Sequence, residues 1–122
     1  MKTRIIWTKI YEDSWFSSLS LDERFMFTYL FTNQRIGHTG IYELPKRVVM
    51  FEVGIESDYY EKIKRKFEKA DKAFFYEDWI FVPNAAHCGG YSGEKNKTAF
   101  EKEKKSIPNK VISAFKDKRD RV

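Results

Sequence analysis

Lys62, Arg65, Lys66 and Lys69 recur at short intervals in a stretch that begins at Ser57. On a helix, that spacing gathers Lys62, Arg65 and Lys69 along one flank, with Lys66 beside them. Cations so arranged suit one chemistry in particular, the neutralisation of nucleic-acid phosphates, and the planar fork of Arg65 can also bind a guanine edge. Ser57 would stand near base edges at the start of the same segment, next to the acids Asp58 and Glu61. Lys46 and Arg47 open an earlier helix, where backbone N–H groups also attract a phosphate. Lys72, at the base of an aromatic hairpin, completes the set. A solvated helix face would carry the same charges, with Glu61 and Arg65 at attractive spacing. Two unremarkable surface charges would equally account for Lys46 and Arg47.

These side chains share a surface only if the chain from Pro45 to Pro83 folds as helix, turn, helix and hairpin. Pro45 suits the first position of a helix, where its missing N–H costs nothing. Gly54 stops that helix, Ile55 supplies an apolar plug, and Ser57 caps the next, a four-residue turn in all. In the second helix, Tyr60, Ile63, Phe67 and Ala70, flanked by Tyr59, form an apolar stripe. Asp58, Glu61, Lys62, Arg65, Glu68 and Lys69 point away from it. The segment 74–82 reads as two aromatic β runs about a Glu77-Asp78 corner. Helix-turn-helix plus hairpin is a winged helix. The expected fold is therefore α+β, a winged helix with added C-terminal helices over residues 1–115, followed by a charged, frayed tail at 116–122. The acids at the corner have the wrong sign for tracking phosphate. A structural wing is expected, with Phe75, Trp79 and Phe81 over the core and the tip facing a partner protein or neighbouring subunit.

The flanking elements follow from the same signals. Arg4 to Ile10 reads as a leading strand and Asp13 to Leu19 as a helical turn. Ser20 and Glu23 make a capping box. Leu21, Phe25, Thr28, Tyr29 and Thr32 then fall on one face of a helix whose apolar arc is widened by Met26, Phe27, Leu30 and Phe31. Residues 33–40 read as a polar loop, and Ile41 to Leu44 as a short strand. Beyond Pro83-Asn84 a small-residue loop is expected from Ala85 to Gly93, then a charged helix from Lys97 to Lys105. Ser106-Ile107-Pro108 breaks it, and Asn109 caps a final helix carrying Val111, Ile112 and Phe115.

Composition bounds the function classes. A chain of 122 residues is enough for one core, and 17% aromatic content places much of the buried area in large rings. No run approaches the roughly 18 apolar residues of a membrane span, and the N-terminus is too poor in apolar residues for a signal peptide. A lone cysteine, Cys88, excludes an intramolecular disulfide and suits a reducing cytoplasm. Net charge is +5. Residues 1–56 balance at seven Lys/Arg and seven Asp/Glu, so the excess lies in the second half, sixteen against eleven. Residues 95–122 hold ten Lys/Arg against four acids, enough to add nonspecific phosphate affinity or simply to solubilise a helix. His87 and Cys88 are adjacent rather than at metal-ligand spacing. The glycines from 89 to 93 precede no Gly-Lys-Ser/Thr phosphate loop. No nucleophile–base set is visible. Neither catalysis, a metal nor a cofactor is expected. Trp7, Trp15 and Trp79 suit base stacking or, more simply, the core.

Several phrases together resemble the N-terminal winged-helix domain of phage replisome organisers, replication initiators related to the DnaD group. They are Trp15 with Leu19-Ser20, then Phe27-Thr28-Tyr29-Leu30 and Thr32-Asn33. Next come Thr39-Gly40-Ile41-Tyr42-Glu43-Leu44-Pro45, Phe51 with Gly54, and Phe67-Glu68-Lys69. The last is Tyr76-Glu77-Asp78-Trp79-Ile80-Phe81-Val82-Pro83-Asn84. The resemblance spans roughly residues 4–115. It implies binding to origin-like duplex DNA, often with self-association through the same domain. Family members usually continue into a second domain that contacts the host helicase or its loader. This chain stops before one, so a free-standing or cut-down winged helix is expected. Two further readings stay open: an interaction or oligomerisation module of a replication complex, and a phage transcriptional regulator.

Overall fold

The computed structural model describes residues 3–87 and 94–120. Cys88 and the glycines from 89 to 93 lie outside the described residues, as do Arg121 and Val122. Among those described, the protein is α+β, with seven α-helices and one three-stranded antiparallel sheet.

The leading segment forms no strand. Residues 3–7 are followed by a 3-10 turn, Thr8–Glu12, and a short helix α1 (Ser14–Ser17), which Asp13 caps by accepting from the Phe16 N–H. The outer edges of the sheet are engaged within the chain: the Thr39 hydroxyl bonds both backbone groups of Ile41, and the Phe75 N–H donates to the Glu68 carboxylate. Arg4 instead anchors the segment by donating to the carbonyls of Gly37 and Ala85, at 3.2 and 2.9 Å.

Helix α2 (Leu21–Thr32) starts on the expected capping box: Ser20 N–H donates to Glu23 at 2.8 Å, and Glu23 N–H donates to the Ser20 hydroxyl. Its inward face is not the one its spacing suggests. Met26, Phe27, Leu30 and Phe31 are buried, whereas Leu21 and Phe25 are 81% and 55% exposed. This helix is apolar nearly all round, so periodicity cannot select a face. Ring packing selects it: Phe27 meets Trp15 and Phe67 edge-on, with centroids 5.1 and 5.6 Å away.

The sheet runs β1 (Ile41–Glu43), β3 (Trp79–Phe81), β2 (Phe74–Tyr76) in spatial order, with β2 and β3 joined by the Glu77-Asp78 corner. Between β1 and β2 come α3 (Lys46–Val53) and α4 (Ser57–Lys69). Pro45 is the N-cap of α3 rather than its first helical residue, and Glu56 is the N-cap of α4 without a side-chain cap. Ser57 is therefore already helical and the turn is three residues, Gly54 to Glu56. Gly54 takes φ 80°, the left-handed conformation that lets its own N–H and that of Ile55 reach the Met50 carbonyl. At its far end α4 stops at Lys69, before Lys72. Asp71 enters the left-handed region at φ 59° and Lys72 N–H closes back onto the Phe67 carbonyl, a Schellman cap.

One side of the sheet joins α2, α3 and α4 in the main core, where Phe67, Ile63, Leu30 and Met26 are fully buried. A second cluster covers Phe74 and Phe81 with Ile107, Val111 and Phe115 of α7 (Asn109–Asp120). Phe75 and Phe81 thus pack inward, Phe75 against the first cluster and Phe81 within the second. Pro83 to His87 form a helical turn, α5, in place of the predicted loop, because proline presets the first helical φ and Ala85 N–H bonds the Val82 carbonyl. Helix α6 (Glu94–Ser106) is longer than Lys97 to Lys105. Its Glu103 carboxylate accepts from the N–H groups of His38 and Thr39 at 3.1 and 2.7 Å. A Cβ on Gly37 would collide with that carboxylate. Helix α7 continues to Asp120, through part of the stretch expected to fray, and Lys118 lies 5.8 Å over the Phe74 ring.

Gly54→Ala forces a Cβ into the left-handed region although no neighbouring atom obstructs it. Urea unfolding of that variant should show about 1 kcal/mol of lost stability. Wild-type stability in the variant would contradict the turn geometry.

Candidate nucleic-acid interface

Tyr60, Ile63 and Phe67 are buried on one side of α4, which fixes the rotation of the helix. At 100° per residue, Asp58, Lys62, Arg65 and Lys69 must then face outward, and all four are exposed. Ser57 is exposed at the first turn, and Arg47 is exposed on α3. Arg47, Lys62, Arg65 and Lys69 make no ion pair among the described residues. These four cations and Ser57 are the candidate residues that the structure presents outward.

The other three candidates are held within the chain. Lys66 reaches both carboxylate oxygens of Glu23 at 3.0 Å. Glu23 is only 8% exposed. Burial alone would raise its pKa, but the Ser20 N–H and the Lys66 ammonium outweigh that and hold it below the ordinary carboxylate value. Lys46 contacts Glu61 at 2.7 Å and lies 5.3 Å over the Tyr60 ring. Its hydrogen bond is the main cause of a lowered Glu61 pKa. Glu61 is thus engaged chiefly with α3, and the Arg65 charge adds a smaller attraction along α4, as its spacing suggested. Lys72 sits 5.1 Å over the face of Trp15.

The acidic corner meets its own chain: Lys110 of α7 lies 3.3 Å from Glu77, and Glu77 takes φ 53° at the turn. Trp15 belongs to the ring cluster with Phe27 and Phe67, and Trp79 packs against the second cluster. Trp7 is 55% exposed.

Two features escaped the sequence reading. Phe51 stands one turn beyond Arg47 on the outer side of α3 and is 87% exposed. The signal was there, since buried Val49 and Val53 define the inward face and Phe51 lies about 160° away from it. The second feature is a cleft of about 530 Å³ between the leading segment and α2. Trp7, Ile10, Trp15 and Phe27 supply its apolar walls, while Lys9, Lys72, Glu12 and Asp13 bring both signs of charge to it. Such a cleft can take a planar apolar group. The run of three exposed apolar residues at Ile5, Ile6 and Trp7 was its trace in the sequence.

Compared with known proteins, the chain matches no family model, no curated protein and no solved structure.

Glu23 links α2 to α4, so its ionisation is coupled to stability. Its folded pKa is depressed. The stabilisation is present above the unfolded carboxylate value near 4.5 and is lost as pH falls through the folded value. Glu23→Gln should cost about 1–2 kcal/mol at pH 7 by chemical denaturation and flatten the fall in stability below pH 4.5. An unchanged acid limb would show that the carboxylate is not coupled to folding.

Proposed function

We propose that the protein is a winged-helix DNA-binding protein, with α4 entering the major groove of a duplex. The observation that carries this is the outer face of α4, where Lys62, Arg65 and Lys69 stand exposed opposite a fully buried stripe and form no ion pair among the described residues. Supporting it, β1 precedes α3 and α4, and the sheet order β1-β3-β2 puts the hairpin beside α4, the arrangement a wing needs. Ser57, at the helix start, faces base edges. Arg65 can fork onto a guanine while Lys62, Lys69 and Arg47 hold phosphates. Lys46, Lys66 and Lys72 support these residues through internal contacts. The resemblance to phage replisome organisers extends the proposal to replication initiation at an origin-like duplex.

A role as an interaction module has one observation of its own. Leu21 and Phe25 on α2, and Phe51 one turn beyond Arg47 on α3, expose large apolar side chains. A host replication factor or a second copy of the chain are the partners this alternative would require.

No helix among the described residues is long and apolar enough to cross a membrane.

Duplex titration across salt concentrations separates the two. Four phosphate contacts, from Arg47, Lys62, Arg65 and Lys69, would give a slope of log K against log salt near about −3.6. Arg65→Ala with Lys69→Ala should bring the slope to about −1.8 and weaken binding by at least about tenfold at 0.1 M salt. The melting temperature should stay the same, because both side chains are exposed. An unchanged isotherm in the double variant would favour the interaction module.

A further inference from the structure

Of the three ion pairs among the described residues, one joins the two helices of the turn motif: Lys46 at the start of α3 and Glu61 on α4, 2.7 Å apart. Both side chains are 37% exposed. A pair so open to solvent contributes little to stability. Its effect on an approaching polyanion is larger. Lys46 is the one candidate phosphate-binding cation of α3 or α4 whose charge is cancelled by an acid lying in the same surface. Lys66, by contrast, serves a buried carboxylate. The Tyr60 ring, 5.3 Å from the Lys46 ammonium, leaves that cation seated beside α4 whether or not the carboxylate stays.

We propose that Glu61 acts as a built-in stand-in for a DNA phosphate, occupying Lys46 in the free protein and lowering affinity for every duplex alike. The proposal rests on the DNA-binding function above and adds an affinity-setting residue to it. A phosphate that reaches Lys46 must displace the carboxylate or share the ammonium with it. With Oε1 bound to the Lys46 ammonium, the carboxylate is drawn to α3 rather than to a cytosine amino group, the base contact an unpaired glutamate on such a helix would make. Glu61 therefore sets the affinity common to all sequences and reads no base. A loss common to all duplexes leaves the ratio of affinities between sequences to the contacts of Ser57 and Arg65.

The test is a cycle of wild type, Lys46→Ala, Glu61→Gln and the double variant, each titrated with several unrelated duplexes at a series of salt concentrations. Glu61→Gln should tighten binding about five- to tenfold at 0.1 M salt on every duplex and steepen the salt slope by about 0.9, the signature of one added phosphate contact. In the Lys46→Ala background most of that gain should disappear. If wild type binds duplex but Glu61→Gln weakens binding, or changes it on some sequences only, Glu61 is a base reader and the inference fails while DNA binding stands. A gain that persists undiminished without Lys46 reflects bulk charge alone and also overturns it. If none of the four proteins binds any duplex, DNA binding and the inference fall together.

Discussion

The Glu23 carboxylate receives the Ser20 N–H at the start of α2 and the Lys66 ammonium from α4 while it is itself almost fully buried. Removing either donor would leave a charge in a poorly solvated place, so the two helices are held at a defined point along α4. The ring cluster of Trp15, Phe27 and Phe67 fixes the same junction from the apolar side. Between them, these contacts set the rotation of α4. Phe67 and Ile63 turn inward, Lys66 is held at the flank by α2, and Lys62, Arg65 and Lys69 are left facing out. The candidate interface is a consequence of that geometry.

Charge is partitioned along the same lines. Cations close to acids are used inside the molecule: Lys66 for Glu23, Lys46 for Glu61, Lys110 for Glu77. Others, Lys64, Lys72 and Lys118, lie over the faces of Phe75, Trp15 and Phe74. Their long stems cover aromatic surface while their heads stay near water. What remains unpaired on α3 and α4 is a smaller set than the net charge suggests, but it lies on one helix and its neighbour. Placement, more than the total of +5, is what would give a polyanion an orientation. The hairpin's acidic corner, drawn to α7 by Lys110, adds nothing to that cationic face.

Strong local signals were legible in the sequence. The Ser20–Glu23 capping box, the Gly54 stop, the Tyr60–Ile63–Phe67 stripe and the Phe74 to Phe81 hairpin appear where spacing puts them. What could not be read there depends on tertiary contacts. The inward face of α2 was ambiguous because the helix is apolar on nearly every side, and only the rings from α1 and α4 decide it. Arg4 to Ile10 has strand-like residues, but side chains of Thr39 and Glu68 engage backbone groups on the sheet's outer edges. The end of α4 depends on Asp71 accepting a left-handed φ, a conformation aspartate tolerates but does not announce. The candidate site was legible in residue type and face. Its internal pairings were not, because Lys46–Glu61 and Lys66–Glu23 bridge residues 15 and 43 positions apart.

The most direct measurement is an amide chemical-shift map of the isotopically labelled protein as a mixed-sequence duplex is added. The account requires the largest changes at Ser57, Lys62, Arg65 and Lys69, with Arg47 joining them and with Leu21 and Phe25 on α2 unmoved. Shifts confined to the apolar residues of α2 and Phe51, or no shifts at duplex concentrations above the expected dissociation constant, would contradict it.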